Sequence, residues 1–154
     1  VALRIEGLYN YPLLSLGGEY KRGYGGLIAF EKRDFVNPGF SIGMELSLVR
    51  FTGSGSARAD LFPLMITFGY EKLMNEKYII GMRLGGGAAY YGGRDENSVS
   101  FQHYPLCGEA VFFTGVRIDR VDFIISGGEL VFYDKGKIRT GVQGSAGFSV
   151  RVGM

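Results

Sequence analysis

The feature that most constrains this chain is a two-residue hydrophobic period held over unusually long segments. From Ile138 to Met154 the even positions run Ile138, Thr140, Val142, Gly144, Ala146, Phe148, Val150, Val152 and Met154. The odd positions carry Arg139, Gln143, Ser145, Ser149 and Arg151, with glycine between them. Alternation of this kind places successive side chains on opposite faces of an extended strand. The strand it predicts is roughly 16 residues long, where an ordinary strand has about 5–6.

The same period recurs upstream. Phe40, Ile42, Met44, Leu46 and Leu48 oppose Ser41, Gly43, Glu45 and Ser47, and Phe62 to Tyr70 and Tyr78 to Gly85 repeat it. A less clean version sets Tyr104, Leu106, Ala110 and Phe112 against His103, Cys107, Glu109 and Val111. Polar or Gly-containing punctuation falls between these runs: Lys21–Gly26, Asp34–Pro38, Gly53–Arg58, Leu73–Glu76, Gly92–Ser100, Ile118–Arg120 and Asp134–Lys137. The spacing predicts eight strands, near 9–21, 26–33, 39–52, 60–71, 77–91, 101–117, 121–133 and 138–153, with residues 1–21 forming one strand bent near Pro12. Gly85–Gly87, Gly92–Gly93 and Gly127–Gly128 read as bends or bulges. The last pair should shift its strand so that Glu129 points in and Leu130 and Phe132 point out.

Every connection is short, so neighbours are antiparallel hairpins, and no crossover is long enough for a parallel sheet. Sequential pairing of eight long strands gives an all-β, up-and-down meander over residues 1–154, and closure into one barrel domain removes both edges. The 26 glycines among 154 residues lack the three-residue period of collagen. A net charge of +2 is no footprint for nucleic acid. The single Cys107 and single His103 exclude a disulfide framework and a multi-cysteine or His-rich metal centre, and nothing calls for a cofactor. No run approaches the roughly 20 apolar residues of a spanning helix, which leaves a crossing by strands open.

Alternation does not say which face is inside. A soluble lipocalin-like barrel would turn the apolar face inward around a small apolar ligand; a membrane barrel does the reverse. Three features favour apolar-out. The polar face is crowded with Gly and Ser, as fits the narrow bore of eight strands. All six lysines (Lys21, Lys32, Lys72, Lys77, Lys135 and Lys137) sit at strand ends or turns, away from a bilayer midplane. Tyr9, Tyr11, Tyr20, Tyr70, Tyr78, Tyr90, Tyr91, Tyr104 and Tyr133 gather towards strand ends, as interfacial girdles do. The charges left in mid-strand, Glu19, Glu45, Arg83, Glu109, Arg139 and Arg151, are of both signs and would pair across the lumen.

The Gly-interrupted strands Asn37–Leu48 (NPGFSIGMELSL) and Lys137–Met154 (KIRTGVQGSAGFSVRVGM) resemble the small eight-stranded outer-membrane barrels of the OmpA/OmpX type. That resemblance implies a closed transmembrane barrel in the outer membrane of a Gram-negative-type bacterium. It also implies periplasmic termini, a polar, largely plugged lumen, and a structural or interaction role rather than an enzymatic one. Its partners would be outer-membrane lipid or lipopolysaccharide, and other envelope proteins. Arg94, Asp95 and Glu96 in the longest loop, with His103 at the outer rim, are the candidate contacts. Some barrels of this kind are lipid-modifying enzymes with a His-x-Ser pattern. Here His103 is followed by Tyr104 and Pro105, and Ser98, Ser100 and Glu109 are its possible partners.

Overall fold

A computed structural model describes residues 1–13, 20–95 and 97–152. The described residues form nine strands: β1 (Ala2–Leu13), β2 (Tyr20–Arg33), β3 (Phe40–Gly53), β4 (Arg58–Met74), β5 (Tyr78–Arg94), β6 (Ser100–His103), β7 (Leu106–Ile118), β8 (Val121–Asp134) and β9 (Lys137–Arg151). Each pairs antiparallel with its sequence neighbour, and β1 also pairs with β9, so the meander closes. The barrel has eight staves because β6 and β7 occupy one. Tyr91 faces His103 and Ala88 faces Leu106, so the register against β5 is identical on both sides of the gap. The gap is Tyr104–Pro105; proline brings no N–H to the ladder, although its carbonyl still accepts from the Ala89 amide at 2.9 Å.

Three sequence expectations are corrected. The KRGYGG segment is strand, not turn: Gly23 to Gly26 pair with Asn10 to Gly7 on one side and with Phe51 to Leu48 on the other. Residues 1–21 are therefore not one strand: β1 ends at Leu13, β2 begins at Tyr20 and runs antiparallel to it, and Pro12 lies inside β1 opposite Gly141. The glycine pairs are not bulges. Registers through Gly85–Gly87, Gly92–Gly93 and Gly127–Gly128 are unbroken. Without a phase shift, Leu130 and Phe132 point inward and are buried, and Glu129 points outward, accepting a hydrogen bond from Thr140 Oγ1 at 2.5 Å.

Tight packing between staves, rather than bulging, accounts for several of these glycines. A Cβ on Gly147 would lie 2.0 Å from the Ile5 carbonyl oxygen. At the β8–β9 hairpin, Lys135 and Gly136 both take positive φ (48° and 79°), the two-residue turn whose twist matches paired strands.

The outer surface is a continuous apolar band. Ile5, Ile28, Phe30, Met44, Leu46, Ile66, Phe68, Leu84, Phe112 and Ile125 are all exposed on it. Apolar patches on water-soluble monomers rarely exceed a few hundred Å², so a surface of this extent is made for hydrocarbon. All six lysines are exposed at strand ends and turns. Aromatic pairs mark the two edges of the band, Phe40–Tyr70 at one end and Phe62–Tyr90–Tyr104 at the other. A soluble barrel with an apolar interior would show the opposite distribution.

Candidate functional site

The inward face is stratified into three layers. Towards the end that carries the β3–β4 and β8–β9 turns, the bore is filled by Tyr20, Phe51, Leu61, Met65, Tyr91 and Phe132, each at most 2% exposed. This half of the lumen is apolar, where a uniformly polar lumen was expected. Part of the difference follows from the unshifted phase of β8, which brings Leu130 and Phe132 inward, and the rest from large apolar side chains at inward positions of β2 to β5.

The middle layer is an ion cluster. Arg4, 1% exposed, donates from Nε to Glu31 at 2.8 Å, from one terminal nitrogen to Glu45 at 2.7 Å, and from the other to Glu6. Arg83 faces the same three carboxylates at 3.8–3.9 Å and Glu109 at 3.5 Å. Gln143 donates to Glu109 at 2.9 Å, and Ser145 donates to Glu6. The strands bring this about by alternation alone. Arg4 and Glu6 are i and i+2 on β1; Glu31, Glu45, Arg83 and Glu109 are inward positions of four other staves. Four carboxylates thus surround two guanidiniums.

The third layer opens at the end where the chain begins. Asp122, fully buried, receives Arg117 Nε at 2.8 Å and also pairs with Arg33. Glu71 accepts from Arg117 at 3.1 Å, and Arg151 lies 3.9 Å from Asp122 and bonds the Asp119 carbonyl at 2.7 Å. Below them lies a vestibule of about 720 Å³.

Among the six charges singled out in the sequence, Glu45, Arg83 and Glu109 meet in the middle layer. Arg139 and Arg151 do not join them: Arg139 stands at the opposite rim, 3.7 Å from Asp134 and over the Tyr91 ring, and Arg151 is in the vestibule. Glu19 lies outside the described residues, as does Glu96. The sequence reading missed Arg4, Glu6 and Glu31 as cluster members, although the alternation of Arg4 and Glu6 with Leu3 and Ile5 was the signal that could have found those two.

At the rim, His103 Nδ1 lies 3.0–3.1 Å from the Asp134 carboxylate. Ser98 is hydrogen-bonded to Ser56 at 3.0 Å, and Glu109 is engaged in the middle layer. Among the described residues, nothing joins His103 to Ser98, Ser100 or Glu109 as a nucleophile–base set would require. Asp95 is occupied in its own turn, accepting from the Asn97 and Val99 amides at 2.9 Å. Arg94 ends β5 with its side chain on the outer face. The described residues hold no cluster of three or more metal-ligating side chains.

No protein-family model matches the chain, and no curated protein matches it in sequence. Solved structures do share its fold. Neisserial surface protein A superposes with a TM-score of 0.76 at 11% identity, over 98% of this chain and 96% of that one. The N-terminal β-barrel domain of Pseudomonas aeruginosa OprF gives 0.60 at 11% identity, covering 96% of each chain. Ail, the attachment invasion locus protein of Yersinia pestis, gives 0.53 at 15% identity over 96% of this chain and 97% of its own, and it has also been solved in complex with the heparin analogue sucrose octasulfate.

Proposed function

We propose, from its fold as a small eight-stranded outer-membrane barrel, that this chain is an integral outer-membrane protein of a Gram-negative-type envelope, non-enzymatic and closed to ions, with a structural or interaction role. The observation that carries the reading is the pairing of an apolar outer band with a lumen filled at its middle and at one end. The Arg4–Arg83 cluster blocks the middle, and the Tyr91–Phe132–Phe51 layer blocks one end. Eight strands leave a bore just wide enough for side chains, so two stacked layers of large residues leave no water column. What then remains available to other molecules is the barrel's outside and its rims. Outer-membrane lipid or lipopolysaccharide and neighbouring envelope proteins are the partners such a surface meets. Ail, of the same fold, has been crystallised with a polysulfated sugar, which supports a binding role for surfaces of this architecture.

The test is electrical and chromatographic. Purified protein should require detergent, migrate differently on gels before and after heating, and show no stable conductance when inserted in a planar bilayer. A steady, sizeable single-channel current would overturn the plugged lumen; detergent-free solubility as a monomer would overturn the membrane assignment.

A further inference from the structure

Resting on that membrane reading, we propose that the outer face of β4, β5 and β6 holds a binding site for the phosphorylated headgroup of an outer-leaflet glycolipid, with Arg58 and Arg94 as its anion-binding pair. The two arginines are directly opposed across the β4–β5 ladder. Like charges facing each other on adjacent strands repel, and a fold gains nothing from placing them so unless an anion lies between or upon them. Among the described residues neither the Arg58 nor the Arg94 side chain has a hydrogen bond or ion pair. The acid nearest in register, Asp60, is already held by Arg50 through two bonds of 2.7 and 3.0 Å. Among the described residues, that leaves the two guanidiniums of the patch without an acidic partner. The row continues two staves away: Arg58 pairs with Thr52, and Thr52 with Arg22, another exposed arginine without a partner among the described residues.

The second observation is shape. Arg58 and Arg94 border an outward-facing cavity of about 720 Å³, walled by Asp60, Tyr90 and Gln102. Gly92 forms its floor, and Tyr90 bends over it, with the hydroxyl 2.5 Å from where a Cβ would stand. That hydroxyl has no partner among the described residues, so it adds a donor to the two guanidiniums. Arginine forks match phosphate oxygens bidentately, and the tyrosine supplies a further hydrogen bond.

The third is depth. Tyr90 stacks edgewise between Phe62 and Tyr104, with ring centres 5.9 and 5.8 Å away. Such a belt marks the boundary between hydrocarbon and headgroups. Arg58 and Arg94 lie two or more residues beyond it along their strands, at the level where a lipid carries its phosphates. An acyl chain can then lie along the apolar band below while the headgroup fills the cavity.

The experiment uses the full chain in detergent micelles and three probes: lipid A with both phosphates, the same lipid enzymatically dephosphorylated, and inorganic phosphate alone. Wild type should bind the phosphorylated lipid about tenfold or more tightly over the dephosphorylated one, which is a modest return for charge-assisted bonds. Arg58→Gln with Arg94→Gln should erase that preference, Arg58→Lys with Arg94→Lys should keep only part of it because the charge stays and the bidentate fork is lost, and Arg120→Gln at the other end should leave it untouched. Equal binding of both lipids by wild type, or an undiminished preference in the double glutamine variant, would overturn the site. Competition by inorganic phosphate at concentrations matching the lipid would overturn the glycolipid as its source and leave a phosphate-ion site. Heat-dependent gel mobility of each variant reports whether the barrel is intact, and the single Arg94→Gln variant serves if the double one does not assemble. Loss of the lipid preference with mobility and closure unchanged separates failure of this site from failure of the membrane reading.

Discussion

The ion cluster around Arg4 makes a prediction whose sign depends on its composition. Arg4 holds Glu6, Glu31 and Glu45 simultaneously, and Arg83 stands a further ångström away from the same groups. Replacing Arg4 by Gln leaves four carboxylates to one guanidinium; replacing Glu45 by Gln leaves three to two. Breaking a buried pair from one side costs about 3–5 kcal/mol, mostly because the remaining charge is stranded. For Arg4→Gln the full range applies, since all three of its carboxylates lose their closest donor and Arg83 at 3.8–3.9 Å is too far to replace it without moving. For Glu45→Gln the cost should be about 1–2 kcal/mol, because the amide oxygen still accepts from Arg4 and the excess of negative charge falls. The assay is urea unfolding in lipid vesicles, followed by the gel fraction that retains unheated mobility. Equal losses for the two variants, or a larger loss for Glu45→Gln, would refute the account of the cluster as an acid-rich network held by arginine.

Other consequences can be checked alongside. Gly147→Ala should prevent β1 from closing on β9, because its Cβ would meet the Ile5 carbonyl, so unheated mobility should disappear. Gly86→Ala, with nothing within 4 Å of the added carbon, should assemble and stay within about 0.5 kcal/mol of wild type in the same assay. Ile66→Arg places a guanidinium on the outer band and should cost about 2–4 kcal/mol in vesicle unfolding; a neutral result would argue against hydrocarbon at that face. His103→Ala should leave the mass spectrum of outer-membrane lipid A unchanged when the protein is expressed in a host, and an altered acyl pattern in wild type alone would reopen the enzymatic alternative.

The parts of this molecule legible in its sequence are those governed by period two. The eight staves, the closed meander and the outward apolar face follow from alternation, because a pleated strand has only two faces and a one-residue slip would invert all of them. Glu45, Arg83 and Glu109 could be placed in the lumen for the same reason, and Arg4 and Glu6 were equally placeable from their alternation with Leu3 and Ile5. Glycine is where reading by residue type gives out. In β8, Gly127–Gly128 looks like a bulge, yet Gly128 is there because the Ala110 carbonyl oxygen would stand 2.2 Å from its Cβ, a fact about the neighbouring stave. Taking it for a bulge reverses the two residues that matter most, turning Leu130 and Phe132 out of the lumen and Glu129 into it. The same blindness affects KRGYGG, a turn by composition and a strand by pairing, since a Cβ on Gly25 would stand 1.7 Å from the Leu48 carbonyl oxygen and only a strand partner explains that. In a barrel this narrow a glycine is chosen by the strand beside it rather than by its own backbone freedom. Local sequence therefore reveals each strand's two faces but not the pairing that makes a glycine necessary, and wherever glycines cluster, that pairing decides which face is which.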